Sequence, residues 1–149
     1  MANLIFDPTH TWTADDPSGL AVGTVGETKD GRQFVVVDPA VEVNATIAVR
    51  IDHTGAATIA APGAGNKGDR IGICNTRIPA AERGWAQRIG PSVGRANAGI
   101  DASMDLDIAA GGEVDDATQT NGDVTGLYST GSGSANGPVN IYLHSPYYT

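Results

Sequence analysis

Gly84-Trp85-Ala86-Gln87-Arg88-Ile89-Gly90 is the stretch on which the fold turns. Trp85, Gln87 and Ile89 share one side of a period-two element, Ala86 and Arg88 share the other, and a glycine punctuates each end. The chain holds only two Trp and two Phe, so a large aromatic at the head of this run reads as a packing anchor. Nothing in the pattern is catalytic. Trp85 is therefore the structural anchor of a small β scaffold.

Working outward, Lys29-Asp30-Gly31 separates the strand-like runs Leu20 to Thr28 and Arg32 to Val37. Asp-Gly between such runs is a hairpin signal, because the turn needs positive φ. Val41, Val43, Ala45, Ile47, Val49 and Ile51 fill every odd position over a half-buried strand, with room for a turn near Asn44, since the run exceeds ordinary strand length. A weak strand follows at 58–61, then a loop from Pro62 and a strand over 70–75. Pro79 to Arg83 predicts one helical turn stopped by Gly84. Beyond the Trp85 strand, Ile100, Ala102, Met104, Leu106 and Ile108 alternate with Asp101, Ser103, Asp105 and Asp107, which predicts a strand with one core face and one acidic face. Residues 113–123 predict an exposed loop, 124–130 a strand, 131–137 a Gly/Ser connector, and Val139, Ile141 and Leu143 the last strand. The expected fold is all-β, a small antiparallel β-sandwich or β-barrel, with residues 1–19 as an extended N-terminal arm and 20–149 as one domain.

Composition agrees. At 149 residues one domain can bury roughly 70% of the surface its unfolded chain exposes. The lone Cys74 cannot form an intrachain disulfide. No basic, apolar leader and no run of bilayer length is present, so the expectation is a soluble, unprocessed protein away from the membrane. Nine basic against 17 acidic residues give a net charge of −8, which disfavours direct nucleic-acid binding, because neutralising phosphates takes clustered Lys and Arg. Twenty glycines and two lysines place the chain far from helical composition.

The motifs that resemble chemistry fail on context. Gly63-Ala64-Gly65-Asn66-Lys67-Gly68 spells G-x-G-x-x-G, but Pro62 precedes it and a strand follows, where a dinucleotide site needs a helix. Asp101, Asp105 and Asp107 project in parallel from a strand and do not wrap an ion. Asp115-Asp116 reads as loop. His10, His53 and His144 are scattered with no second cysteine, and no G-x-S-x-G elbow occurs. Cys74 in a strand-like run reads as a small buried residue. The expectation is a protein with no catalytic residues, no metal and no cofactor. The N-terminal segment differs: Leu4, Phe6 and Trp12 sit among turn residues without periodicity, as in a strap that packs on its own domain or on a neighbour.

The ordered set Asp30-Gly31-Arg32-Gln33-Phe34-Val35-Val36-Val37, Gly68-Asp69-Arg70-Ile71-Gly72-Ile73, Gly84 to Gly90 and the terminus from Val139 to Pro146 resembles tailed-bacteriophage head decoration, or capsid cement, proteins. That resemblance implies a non-enzymatic β-rich protein. It would be made in the host cytoplasm and bound to the outer surface of the expanded head, with the major capsid protein as partner. It implies a homo-oligomer, a trimer ahead of a dimer, that reinforces contacts between capsid subunits. Leu4, Phe6 and Trp12 are then the candidate interface residues. The rival reading is a carbohydrate- or host-binding module of a virion tail or fibre, with Tyr128, Tyr142, Tyr147 and Tyr148 as stacking faces.

Overall fold

The structure, a computed structural model, describes residues 7–17, 19–63 and 65–149. Eleven strands follow in chain order. They are β1 (Trp12–Thr13), β2 (Val25–Glu27), β3 (Gln33–Pro39), β4 (Ala48–Ile51), β5 (Ala56–Ile59), β6 (Arg70–Ile73), β7 (Glu82–Arg95), β8 (Asp107–Ile108), β9 (Val114–Asp115), β10 (Val124–Ser129) and β11 (Pro138–Tyr148). A single 3-10 turn at Ala110–Gly112 is the only helical element among the described residues, so the all-β expectation holds.

Nine strands form one sheet, and part of it closes on itself. Strand β3 pairs with β7 and β5, β5 with β4, β4 with β6, and β6 returns to β7 through Ile73 and Gln87. This ring of five is a small barrel. Its β3–β5 pairing is parallel, whereas the expected architecture was antiparallel. The reason is connectivity: β4 and β5 form an antiparallel hairpin across Asp52 to Gly55, which turns β5 to run alongside the end of β3.

Alternation of side chains sorts the apolar residues into three cores. Val35 and Val37 of β3, Val49 and Ile51 of β4, Ala57 and Ala86 pack inside the ring with Val43, Ile47, Cys74 and Ile78. The intervening Phe34 and Val36 face outward and pack with Trp85, Trp12 and Leu20. On the opposite flank Ala48, Ile71 and Ile73 join Leu127, Ile141, Leu143 and the buried side chains of residues 96–114. Strands β3, β4 and β6 are thus covered on both faces, which is why β3 reads as the continuous run Phe34-Val35-Val36-Val37.

Strand β7 serves two neighbourhoods. Its first half pairs with β3 through Gly84 to Ile89, and its second half with β11 from Ile89 to Arg95. Between them the chain bends at Gly90, whose φ is 100°. The buried Gln87 spans the bend, its amide donating to the carbonyls of Ile89 (3.0 Å) and Pro91 (2.9 Å). Its own oxygen accepts from Asn75 Nδ2 at 2.7 Å, and Asn75 Oδ1 accepts from Ser92 Oγ at 2.9 Å. Every polar atom of the Gln87 side chain is engaged, as burial demands.

Several local expectations change. The helical turn at 79–83 is a non-helical turn ending at Ala81, where φ is 63°, and Glu82 already starts β7. The alternating 41–51 segment breaks where anticipated: Val43 makes an isolated bridge to Ile78, Thr46 has φ 70°, and only Ala48–Ile51 is strand. The 100–108 segment breaks at Ser103, φ 64°, leaving Ile100 and Asp105 as isolated bridges ahead of β8. Ile100, Leu106 and Ile108 are buried, while Ala102 and Met104 are exposed. The 113–123 stretch is only partly loop, since Val114 and Asp115 of β9 are buried. The hairpin at Gly31, strand β10 and the final strand β11 stand as read.

Replacing Gln87 by Leu keeps the volume but strands the Asn75 amide and two carbonyls. We expect a loss of about 3 kcal/mol, read as a lower urea midpoint with unchanged slope.

Candidate interaction surface

The two tryptophans meet. Strand β1 pairs with the start of β7, Trp12 opposite Arg83, and the Trp12 ring lies edge-on to Trp85 with centroids 6.1 Å apart. Trp12 is 5% exposed and its indole N–H donates to the Leu20 carbonyl at 3.2 Å. Gly19 is what lets the chain pass over the ring, since a Cβ there would sit 2.2 Å from it. Thr11 Oγ1 fixes the same segment by donating to Glu82 at 2.7 Å. Of the two readings of the strap, Trp12 follows the one in which it packs on its own domain, because Phe34, Val36 and Trp85 would otherwise expose an apolar face. Leu4 and Phe6 lie outside the described residues. Trp85 is buried in the same cluster as Trp12.

The groups singled out for chemistry are dispersed or structurally engaged. Asp115 accepts from Asn97 (2.8 Å), Ala117 N–H (3.0 Å) and Gln119 Nε2 (3.2 Å), and Asp107 accepts from the amides of Gln119 (3.0 Å) and Val124 (3.4 Å). Asp116 accepts from the Asp101 amide at 3.0 Å. These carboxylates peg the long excursion between β7 and β10 and do not converge on a common point. Among the described residues no three His, Cys, Asp or Glu are grouped to hold a metal ion. His10 stacks on Trp12 at 5.8 Å, His53 lies in the turn after β4, and His144 is on β11.

The G-x-G-x-x-G stretch is a loop leading into β6. Three of its amides are taken up within the protein: Gly63 N–H donates to Asn121, Gly68 N–H to Tyr148, and Asn66 N–H to Asp69. Gly65 packs flat on Tyr148, where a Cβ would fall 2.2 Å from the ring. The Tyr148 hydroxyl donates to the Ala61 carbonyl at 3.0 Å, and burial holds its pKa above the ordinary value.

The four tyrosines therefore part company. Tyr148 is core, Tyr147 is exposed with Arg70 against its ring at 5.8 Å, and Tyr128 and Tyr142 stack on the outside of β10 and β11 with centroids 5.4 Å apart and planes at 18°. Sequence spacing could not pair them, since their strands are joined only through the register of the hairpin.

No family model and no curated protein matches the sequence. Among solved structures, the fold is similar to that of the N base of head fiber gp8.5 in bacteriophage phi29, known from a crystal structure. The TM-score is 0.53, with 78% of this chain and 97% of that one covered at 10% identity. At that identity the likeness is one of fold.

Cys74 is fully enclosed inside the barrel, and burial pushes its thiol up to about 12. A water-soluble thiol reagent at neutral pH should leave it unmodified in the native protein and label it on unfolding in urea, as read by mass spectrometry.

Proposed function

We propose that this chain is a non-enzymatic structural protein of a tailed-phage virion, attached to the outer surface of the head, where it stabilises contacts between major capsid subunits. The observation that carries the reading is the fold it shares over most of its length with a protein taken from the base of a phage head fibre. The sequence resemblance to head decoration proteins points the same way. A fibre base and a decoration protein make the same physical demand, a small rigid β scaffold with one region committed to a shell.

The rest of the molecule suits that demand. Three separate apolar cores are closed without a disulfide, and the buried carboxylate Asp115 holds a loop. Binding to a shell adds stability by mass action, since only the folded form binds, and many copies act on one head. With Trp12 taken up in the core, the grip falls to residues 1–6, with Leu4 and Phe6 as the apolar contacts. Burying such side chains contributes about 1.5–3 kcal/mol each before ordering costs. A homotrimer, with a dimer as the lesser alternative, would present three such segments to the capsid.

Purified protein mixed with expanded heads that lack it should decorate them, seen by electron microscopy, and raise their disruption temperature. Absence of both effects overturns the reading. Deleting residues 1–6 should cut head affinity by at least about tenfold while leaving the melting temperature within a degree or so, because β1 is retained. Trp12→Ala should instead cost about 3–5 kcal/mol of folding stability.

A further inference from the structure

The outer face of β10, β11 and the second half of β7 carries a row of directly opposed residues. Asp105 bridges to Tyr128, Tyr128 pairs with Tyr142, and Tyr142 pairs with Pro91. Opposed residues of antiparallel pairs project from one face, so Asp105, Tyr128, Tyr142 and Pro91 form a line across three strands and the isolated bridge at Asp105. At its centre the two tyrosine rings stack at 5.4 Å, and Tyr128 is 38% exposed.

On the Pro91 side this face adjoins a cleft of about 390 Å³ whose lining includes Arg32, Asn75, Ser92, Val93 and Asn140. Asn140 lies two residues from Tyr142 on β11 and opposite Val93 on β7, so it belongs to the same face. The Asn75 amide is held by Gln87 on one side and Ser92 on the other, which fixes it before any ligand arrives. Arg32 is already paired with Asp30 at 3.0 Å.

An exposed tyrosine pair beside the fixed Asn75 amide, the Asn140 amide and the Ser92 hydroxyl, with the Asp105 carboxylate at its far end, matches a pyranose ring. Such a ring offers a C–H face for stacking and hydroxyls that both donate and accept. The charge distribution narrows the class. Asp105 ends the tyrosine row and Arg32, in the cleft, is already committed to Asp30, so the face meets an anionic sugar with a carboxylate and a neutralised guanidinium. We infer that this face binds a neutral, pyranose-based glycan. The site uses none of residues 1–6 and stands or falls separately from head attachment.

The test is a panel of neutral and acidic oligosaccharides screened against the full chain, followed by NMR titration of isotope-labelled protein with the best neutral binder. Binding should perturb Tyr128, Tyr142 and Asn140. Tyr142→Ala should weaken it about tenfold, and Tyr142→Phe should keep it within about twofold, since stacking needs the ring and not the hydroxyl. Should Tyr142→Ala unfold, Tyr128→Ala and Asn140→Ala, both at exposed positions, carry the same test with losses of about fivefold. The inference is overturned if no neutral saccharide perturbs the spectrum at about 20 mM, a concentration that reveals even weak affinity. It is also overturned by preference for acidic sugars, by binding that survives the alanine variants, or by self-association through this face without saccharide binding.

Discussion

The architecture depends on the branch point where β7 leaves the barrel. Up to Ile89 the strand closes the ring with β3, and with β6 at Gln87, and from Ile89 onward it is the partner of β11. Such a departure leaves backbone groups near the bend without a regular ladder, and in a buried setting each orphan would cost about 1–3 kcal/mol. Gln87 answers this with a single amide that donates to carbonyls on both sides of the bend and accepts from Asn75. One buried polar side chain thereby ties together the barrel, the loop after β6 and the outer sheet.

From that junction the two outer layers follow. One side of β3 and β7 is sealed by the N-terminal segment through Trp12, and the opposite flank of the ring is sealed by the excursion that Asp107 and Asp115 peg in place. Of the carboxylates that might have suggested an ion site, Asp107 is spent on backbone amides and Asp115 on the amides of Asn97, Ala117 and Gln119. The same sheet that branches at Gln87 exposes the Tyr128–Tyr142 pair next to the Asn75 cleft, so the fixed interior network and the exposed platform share residues. Rigidity inside and a preorganised surface outside have one origin.

The stability of this scaffold is internal, resting on three apolar cores. Trp12 belongs to the fold, paired through β1 and packed against Trp85.

The sequence by itself determined the all-β class, the Asp30-Gly31 hairpin, the burial of Cys74, and the passage of the glycine-rich stretch into a strand. Each rests on local chemistry: period-two alternation, positive φ in a turn, and the absence of a helix after the loop. It could not determine that Ala81, Thr46 and Ser103 adopt left-handed backbone, which ended a helical turn and two long alternating runs, because non-glycine residues take that conformation only under tertiary constraint. Nor could it give ring closure through a parallel β3–β5 pair, the burial of Trp12 on Trp85, or the meeting of Tyr128 with Tyr142. Those contacts join residues far apart in the chain, and only strand register in the folded sheet brings them within reach of one another.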